Sequence, residues 1–274
     1  MGEMAEPIRL LVSDIDGTLV RSDKSLSDAV VDAVARVRDA GIAVSLISAR
    51  PPSGMLWIAD RLKLTGEIGA FNGGTLVTPD GEIVSARRLS PELAARALAR
   101  IERPGITPWL FADGRWYARD PENDNLPRER LAANVDPIFD ADWASLLDRA
   151  DKLVGVSDDY ALLAAVEAET RVALGDGATV VRSQPYYLDI TAAEANKGAG
   201  ISALALAYGV PLSAVAVFGD QYNDLAMFAR SAISVAMGQA PDDVRAAATH
   251  VGRSNDEDGV GDAIDRFILP MIAR

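Results

Sequence analysis

Short, unbroken apolar runs alternate with amphipathic helical stretches at both ends of this chain, and that alternation limits its fold more than any other feature. Residues 8–13 are almost continuously apolar, the mark of a strand covered on both faces. Ser27 can cap a helix running to Gly41, with Ala29, Val30, Ala33, Val34 and Val37 as its apolar stripe. Residues 42–47 then make a second buried strand. Strand, helix, strand in this order demands a parallel sheet with a right-handed crossover. The C-terminal part repeats the pattern: a helix over 197–208, a strand over 214–218, a helix from near Asn223, a strand over 233–236 and a helix opened by Pro241 as its first-turn residue.

The middle reads differently. Asp80-Gly81 and Asp113-Gly114 are two-residue hairpin signals, the second lying between β-prone runs at 107–111 and 115–119. Helical patterns at 91–101, 143–150 and 160–172 alternate with short strands at 153–156 and 186–190. The expectation is an α/β protein: a Rossmann-like parallel-sheet core made of residues 1–81 and 191–274, with an α+β domain, 82–190, inserted into it. A length of 274 residues suits two domains. No internal repeat or low-complexity segment interrupts this reading.

Composition removes several classes of function. Forty acidic against twenty-seven basic residues give a net charge of −13, which repels nucleic-acid backbones and anionic lipid. The absence of cysteine removes disulfides, thiol catalysis and Cys-type zinc sites, and the single histidine, His250, cannot build an HExxH helix. Residues 1–11 have neither a basic start nor a long apolar stretch, so no signal peptide is expected, and Glu6 fails the myristoylation pattern. No apolar run approaches the ~18 residues of a membrane span. The chain is therefore expected to be cytoplasmic, with neither a membrane nor nucleic acid as a partner; its oligomeric state is not legible.

Four blocks carry the chemistry. Asp14-Ile15-Asp16-Gly17-Thr18 sits where the first buried strand ends, and open parallel sheets bind ligands beyond the carboxyl ends of their strands. Two neighbouring carboxylates repel unless a cation or a shared proton relieves them. With oxygen donors and no thiol or imidazole nearby, a hard cation such as Mg2+ is the natural partner. Gly219-Asp220-Gln221-Tyr222-Asn223-Asp224 follows another buried strand and brings more oxygen ligands to the same edge. Ser48-Ala49-Arg50 ends the second strand, where a hydroxyl and free backbone N–H groups can meet an anion. Lys197 opens a helix, and an ammonium near clustered carboxylates makes sense if a phosphoryl group sits between them.

In this order and spacing the blocks resemble the haloacid dehalogenase superfamily of phosphohydrolases over nearly the whole chain. Asp14-x-Asp16-Gly17-Thr18 matches the first motif of that family, Ser48 the second, Lys197 the third and Gly219-Asp220-x-x-Asn223-Asp224 the fourth. Asn72-Gly73-Gly74, Asn255 and Gly259-Val260 are similar to the Cof-type subgroup, and so is an insert between the second and third motifs, the C2 cap arrangement. One departure is Ala49, where Cof-type members usually carry glycine. The resemblance implies a Mg2+-dependent phosphatase acting on a small phosphorylated metabolite through an aspartyl-phosphate. Asp14 is the implied nucleophile and Asp16 the implied acid and base. Ser48, Ala49, Lys197 and Asn223 are the implied phosphate contacts, and Asp14, the Asp16 carbonyl and Asp220 the implied metal ligands. Asp224 is expected to orient Lys197 or a metal-bound water. Arg50 can bind phosphate or pair with a structural acid, and Asn72 can touch substrate or only turn the chain. The cap is expected to close over the substrate and supply the leaving-group pocket.

Other readings compete. A phosphomutase would share the nucleophile and metal, and a non-catalytic metabolite-binding protein would keep the pocket without turnover. Residues 198–203 match a dinucleotide-binding fingerprint, but six residues separate Ile190 from Lys197, whereas that fingerprint follows its strand at once. Trp109, Phe111, Trp116 and Tyr117 are expected to be packing pairs. Asp256, Glu257 and Asp258 are read as acidic residues favourable to the dipole of the last helix.

Overall fold

The structure is a computed structural model that describes residues 6–272; the reading of residues 1–5 as lacking a leader lies outside the described residues. The chain divides into two compact units, one made of Met1–Ser48, Trp57–Gly69 and Lys197–Arg274, the other of Ala49–Leu56 and Ala70–Asn196. Residues 82–190 all belong to the second unit.

The first unit is a five-stranded, all-parallel sheet. Its strands run in the order His250–Val251, Ile233–Ala236, Val215–Gly219, Leu10–Ser13 and Ala43–Leu46. Leu10–Ser13 is paired on both sides and wholly buried, as its apolar run requires. The crossover helix Asp28–Asp39 begins where Ser27 accepts a hydrogen bond from the Val30 amide, and it buries Val30, Ala33, Val34 and Val37. Ala29, expected on that stripe, is exposed. Pro241 occupies the cap position rather than the first turn of the helix Asp242–Ala247. No helix among the described residues is long and apolar enough to cross a membrane.

The second unit holds an antiparallel sheet ordered Arg115–Tyr117, Thr107–Ala112, Ala150–Val156, Tyr187–Ala192 and Ala178–Gln184. Helices Pro91–Ile101 and Tyr160–Leu174 cover one face, burying Leu98, Ile101, Leu163 and Val166 against Leu110, Leu153, Leu188 and Ile190. Residues 143–149 form a 3-10 rather than an α-helix. The aromatic residues pack as expected but split between faces. Trp109 meets Trp116 edge-on at 5.1 Å and Phe111 stacks on Trp116 at 6.3 Å, whereas Tyr117 pairs with Leu110 and joins the helix-covered core. The Lys152 ammonium is buried 3.5 Å from the Asp189 carboxylate and donates to the Ala49 carbonyl at 2.8 Å.

Candidate active site

Strand pairing brings the site together. Leu10–Ser13 lies between Val215–Gly219 and Ala43–Leu46, all pointing the same way, so Asp14, Asp220 and Ser48 leave adjacent strands at one edge. The Asp14 amide donates to the Phe218 carbonyl at 2.9 Å, and the Ile47 amide to Ser13 at 2.9 Å, extending the ladders to the site itself.

Lys197 begins the helix Lys197–Ala207, and its side chain is fully buried. Its ammonium lies 2.8 Å from Asp14 Oδ2 and 2.5 Å from Asp224 Oδ1. The other Asp224 oxygen accepts the backbone N–H groups of Asp220 and Gln221, each at 2.8 Å. Asp224 thus fixes both the cation and the turn that carries Asp220. Gly219 is needed there, because a Cβ would sit 2.5 Å from the Asp224 carboxyl carbon.

Asp220 is held from the other side. Thr18 Oγ1 donates to its Oδ1 at 2.8 Å, and Gly17 passes so close that a Cβ would stand 2.3 Å from Oδ2. Gly17 also has φ +77°, a backbone state glycine adopts without a steric penalty.

Asp14, Asp220 and Asp224 each offer a buried carboxylate oxygen, all within 4.8 Å of one another. Burial drives the Asp14 carboxyl up to about 7, because Asp224 and Asp16 add repulsion to desolvation and Lys197 only partly offsets them. Asp220 is pushed well above the usual range by burial first and then by Asp224 and Asp14. Burial alone would depress the Lys197 ammonium, but the two carboxylates against it outweigh that and raise it. Crowded, desolvated oxygen donors with too little positive charge among them fit a hard divalent cation.

The Asp16 side chain stands outside this trio, its Oδ1 accepting a 2.7 Å hydrogen bond from Lys24, a residue that carries no local signal of a site. Ser48 is buried, and its amide is already committed to the Gly69 carbonyl at 2.9 Å. The expectation of free N–H groups there therefore fails at Ser48, whose strand ladder continues one residue further than the sequence suggests. Asn223 is half-buried in the 3-10 turn Tyr222–Asp224. Ala49, Arg50 and Asn72 belong to the second unit. There Arg50 donates to the Gly54 carbonyl at 2.9 Å, and Asn72 has φ +59° within the turn Phe71–Gly73. The acidic residues before the last helix also have a different use. Asp256 accepts from both the amide and the hydroxyl of Ser22, and Asp258 takes the Arg21 guanidinium with both oxygens.

Residues 11–264 match the family model described as haloacid dehalogenase-like hydrolase. A 5-amino-6-(5-phospho-D-ribitylamino)uracil phosphatase of Bacillus subtilis is 25% identical over 264 residues, covering 96% of each chain. An HMP-PP phosphatase of Cronobacter sakazakii is 27% identical over 251 residues, covering 89% of each. Among solved structures, a haloacid dehalogenase-like hydrolase from Bacteroides thetaiotaomicron superposes with a TM-score of 0.82 at 28% identity, covering 94% of this chain and 99% of that one.

Proposed function

The chain belongs to the haloacid dehalogenase-like hydrolases and is a phosphoric monoester hydrolase, and from that premise we propose that it hydrolyses a small phosphorylated metabolite, a sugar phosphate or similar, by a Mg2+-dependent route through an aspartyl-phosphate on Asp14. The observation that carries the reading is the buried Lys197 ammonium lodged between Asp14 and Asp224, with Asp220 completing a carboxylate trio.

Each residue then has a task. The Asp14 carboxylate attacks phosphorus, and the bond to the leaving oxygen breaks. Asp16 gives that oxygen a proton and afterwards takes one from the water that attacks the aspartyl-phosphate, which releases phosphate and restores the Asp14 carboxylate. Lys197 and the Ser48 hydroxyl hold the transferring oxygens, where phosphoryl transfer gains most of its stabilisation. Asn223 is a further contact for the same oxygens. Asp224 keeps Lys197 in place. Asp14, the Asp16 carbonyl and Asp220 would hold Mg2+, which when bound supplies positive charge between the attacking carboxylate and the anionic ester. The Lys197 ammonium and that charge together favour the ionised Asp14 that attack requires. Residues 82–190 are assigned the choice of leaving group.

A panel of phosphoesters assayed with wild type and Asp14→Asn, with Mg2+ and with excess EDTA, tests the proposal. Turnover confined to the wild-type chain with metal is expected. Full activity in Asp14→Asn removes the nucleophile assignment, and activity unchanged by EDTA removes the metal.

A further inference from the structure

The turn around Asn255 is bound to the loop that follows Asp14 in a way the proposed chemistry leaves unused. Gln239 Nε2 donates to the Gly17 carbonyl at 2.6 Å, and Gln239 Oε1 accepts the Asn255 amide at 3.1 Å. The buried Asn255 side chain donates to the Val20 carbonyl at 3.0 Å. Two further ties flank these: Asp256 to Ser22 and Asp258 to Arg21. The turn Asn255–Glu257, with Asp258 at its end and Gln239 bound to it, therefore grips residues 17–22 at four points, each spanning more than two hundred residues of sequence.

The gripped carbonyls lie on the segment that contacts Asp220. Gly17 has no room to move toward Oδ2, since even a Cβ there would overlap at 2.3 Å, and Thr18 binds Oδ1 at 2.8 Å. A shift of Gly17 by a few tenths of an ångström must therefore move the Asp220 carboxylate or break its hydrogen bond. We propose that Gln239 and Asn255 are positioning residues for the Asp220 carboxylate, acting on it through Gly17 and Thr18 and so setting the affinity of the site for its divalent cation. The inference rests on the reading of Asp220 as a metal ligand.

Gln239 offers the cleaner test because its side chain is exposed and fills no core. Gln239→Met removes both of its bonds, and Gln239→Glu keeps the acceptor for Asn255 while setting an oxygen against the Gly17 carbonyl. Asp265→Ala, which removes a surface ion pair with Arg36, is the control. Purified full-length chains are titrated with MgCl2 without substrate, following the rise in melting temperature, and half-activating Mg2+ is then measured with substrate. Groups outside the ligand shell that orient ligands commonly change metal affinity by about 10–100-fold, and a residue one contact further out is expected to move the midpoint about three- to tenfold. Both Gln239 variants should shift by at least threefold, Asp265→Ala should not, and kcat should recover at saturating Mg2+. A shift below threefold in Gln239→Met, or an equal shift in the control, overturns the inference while leaving the metal reading intact. A wild-type chain that Mg2+ neither stabilises nor activates overturns both.

Discussion

Replacing Asp224 by asparagine isolates the electrostatics of the site. In the native chain one Asp224 oxygen faces the Lys197 ammonium at 2.5 Å and the other accepts two backbone N–H groups. An asparagine has a single acceptor, so every orientation turns its NH2 against either the ammonium or the paired amides. Losing one partner of a buried ion pair costs about 3–5 kcal/mol. Asp14 still faces Lys197 at 2.8 Å, and where it is ionised it brings the cost to the lower end of that range. Removing the charge also relieves repulsion from Asp14 and Asp220. Two unit charges 4.8 Å apart at an effective dielectric of 20 repel by about 3.5 kcal/mol. That relief depends on pH, because both partners bind protons more tightly than free carboxylates: Asp14, raised to about 7, is protonated near pH 5 and ionised at pH 8, and Asp220 is raised in the same direction. The expected loss is therefore about 3–5 kcal/mol at pH 5, shrinking toward zero at pH 8, where the ionised Asp14 answers Lys197 and is itself freed from the repulsion of Asp224. Urea denaturation of wild type and Asp224→Asn in EDTA at both pH values measures it, with the linear slope confirming that the transition stays comparable. A loss below 1 kcal/mol at pH 5, or a larger loss at pH 8, would refute the reasoning.

Three further outcomes follow from the same geometry. Gly17→Ala forces a left-handed backbone, worth about 1–2 kcal/mol, and drives a methyl into Asp220; stability by denaturation should fall by at least that much, and phosphatase activity by more than tenfold. Asp14 and Asp220 bind protons more tightly folded than unfolded, so the metal-free chain should lose stability as pH rises from about 4 through about 7, and saturating Mg2+ should flatten or reverse that slope; a rising slope without metal would contradict it. Ser27→Ala, which takes from the Val30 amide the acceptor that caps the helix Asp28–Asp39, should cost about 1 kcal/mol in urea denaturation.

The parallel core was legible because its strands are buried on both faces and so must be written as continuous apolar runs; Leu10–Ser13 and Val215–Gly219 follow that rule. The start of the helix Asp28–Asp39 was legible for an equally local reason, its Ser27 cap. Leu126–Ala133 escaped notice because its face is scarcely amphipathic and its cap residue, Asn125, makes no side-chain cap bond. Within the site, Asp14, Lys197, Asp220 and Asp224 announce themselves through residue type and spacing. Lys24 and Gln239 do not. Their partners are a carboxylate eight residues away and a backbone carbonyl at Gly17, and neither contact imposes a pattern on its neighbours.

The first strand of the core, Leu10–Ser13, pairs on one side with Ala43–Leu46 and on the other with Val215–Gly219. A ribosome has therefore released the whole of the inserted unit before the second partner becomes available. Until then one side of Leu10–Ser13 carries unanswered amide and carbonyl groups on a strongly apolar ribbon, the kind of margin onto which foreign strands add. Chains interrupted before residue 215 would lack both Asp220 and the strand that seals this margin, so incomplete products should be inert toward phosphoesters and prone to self-association.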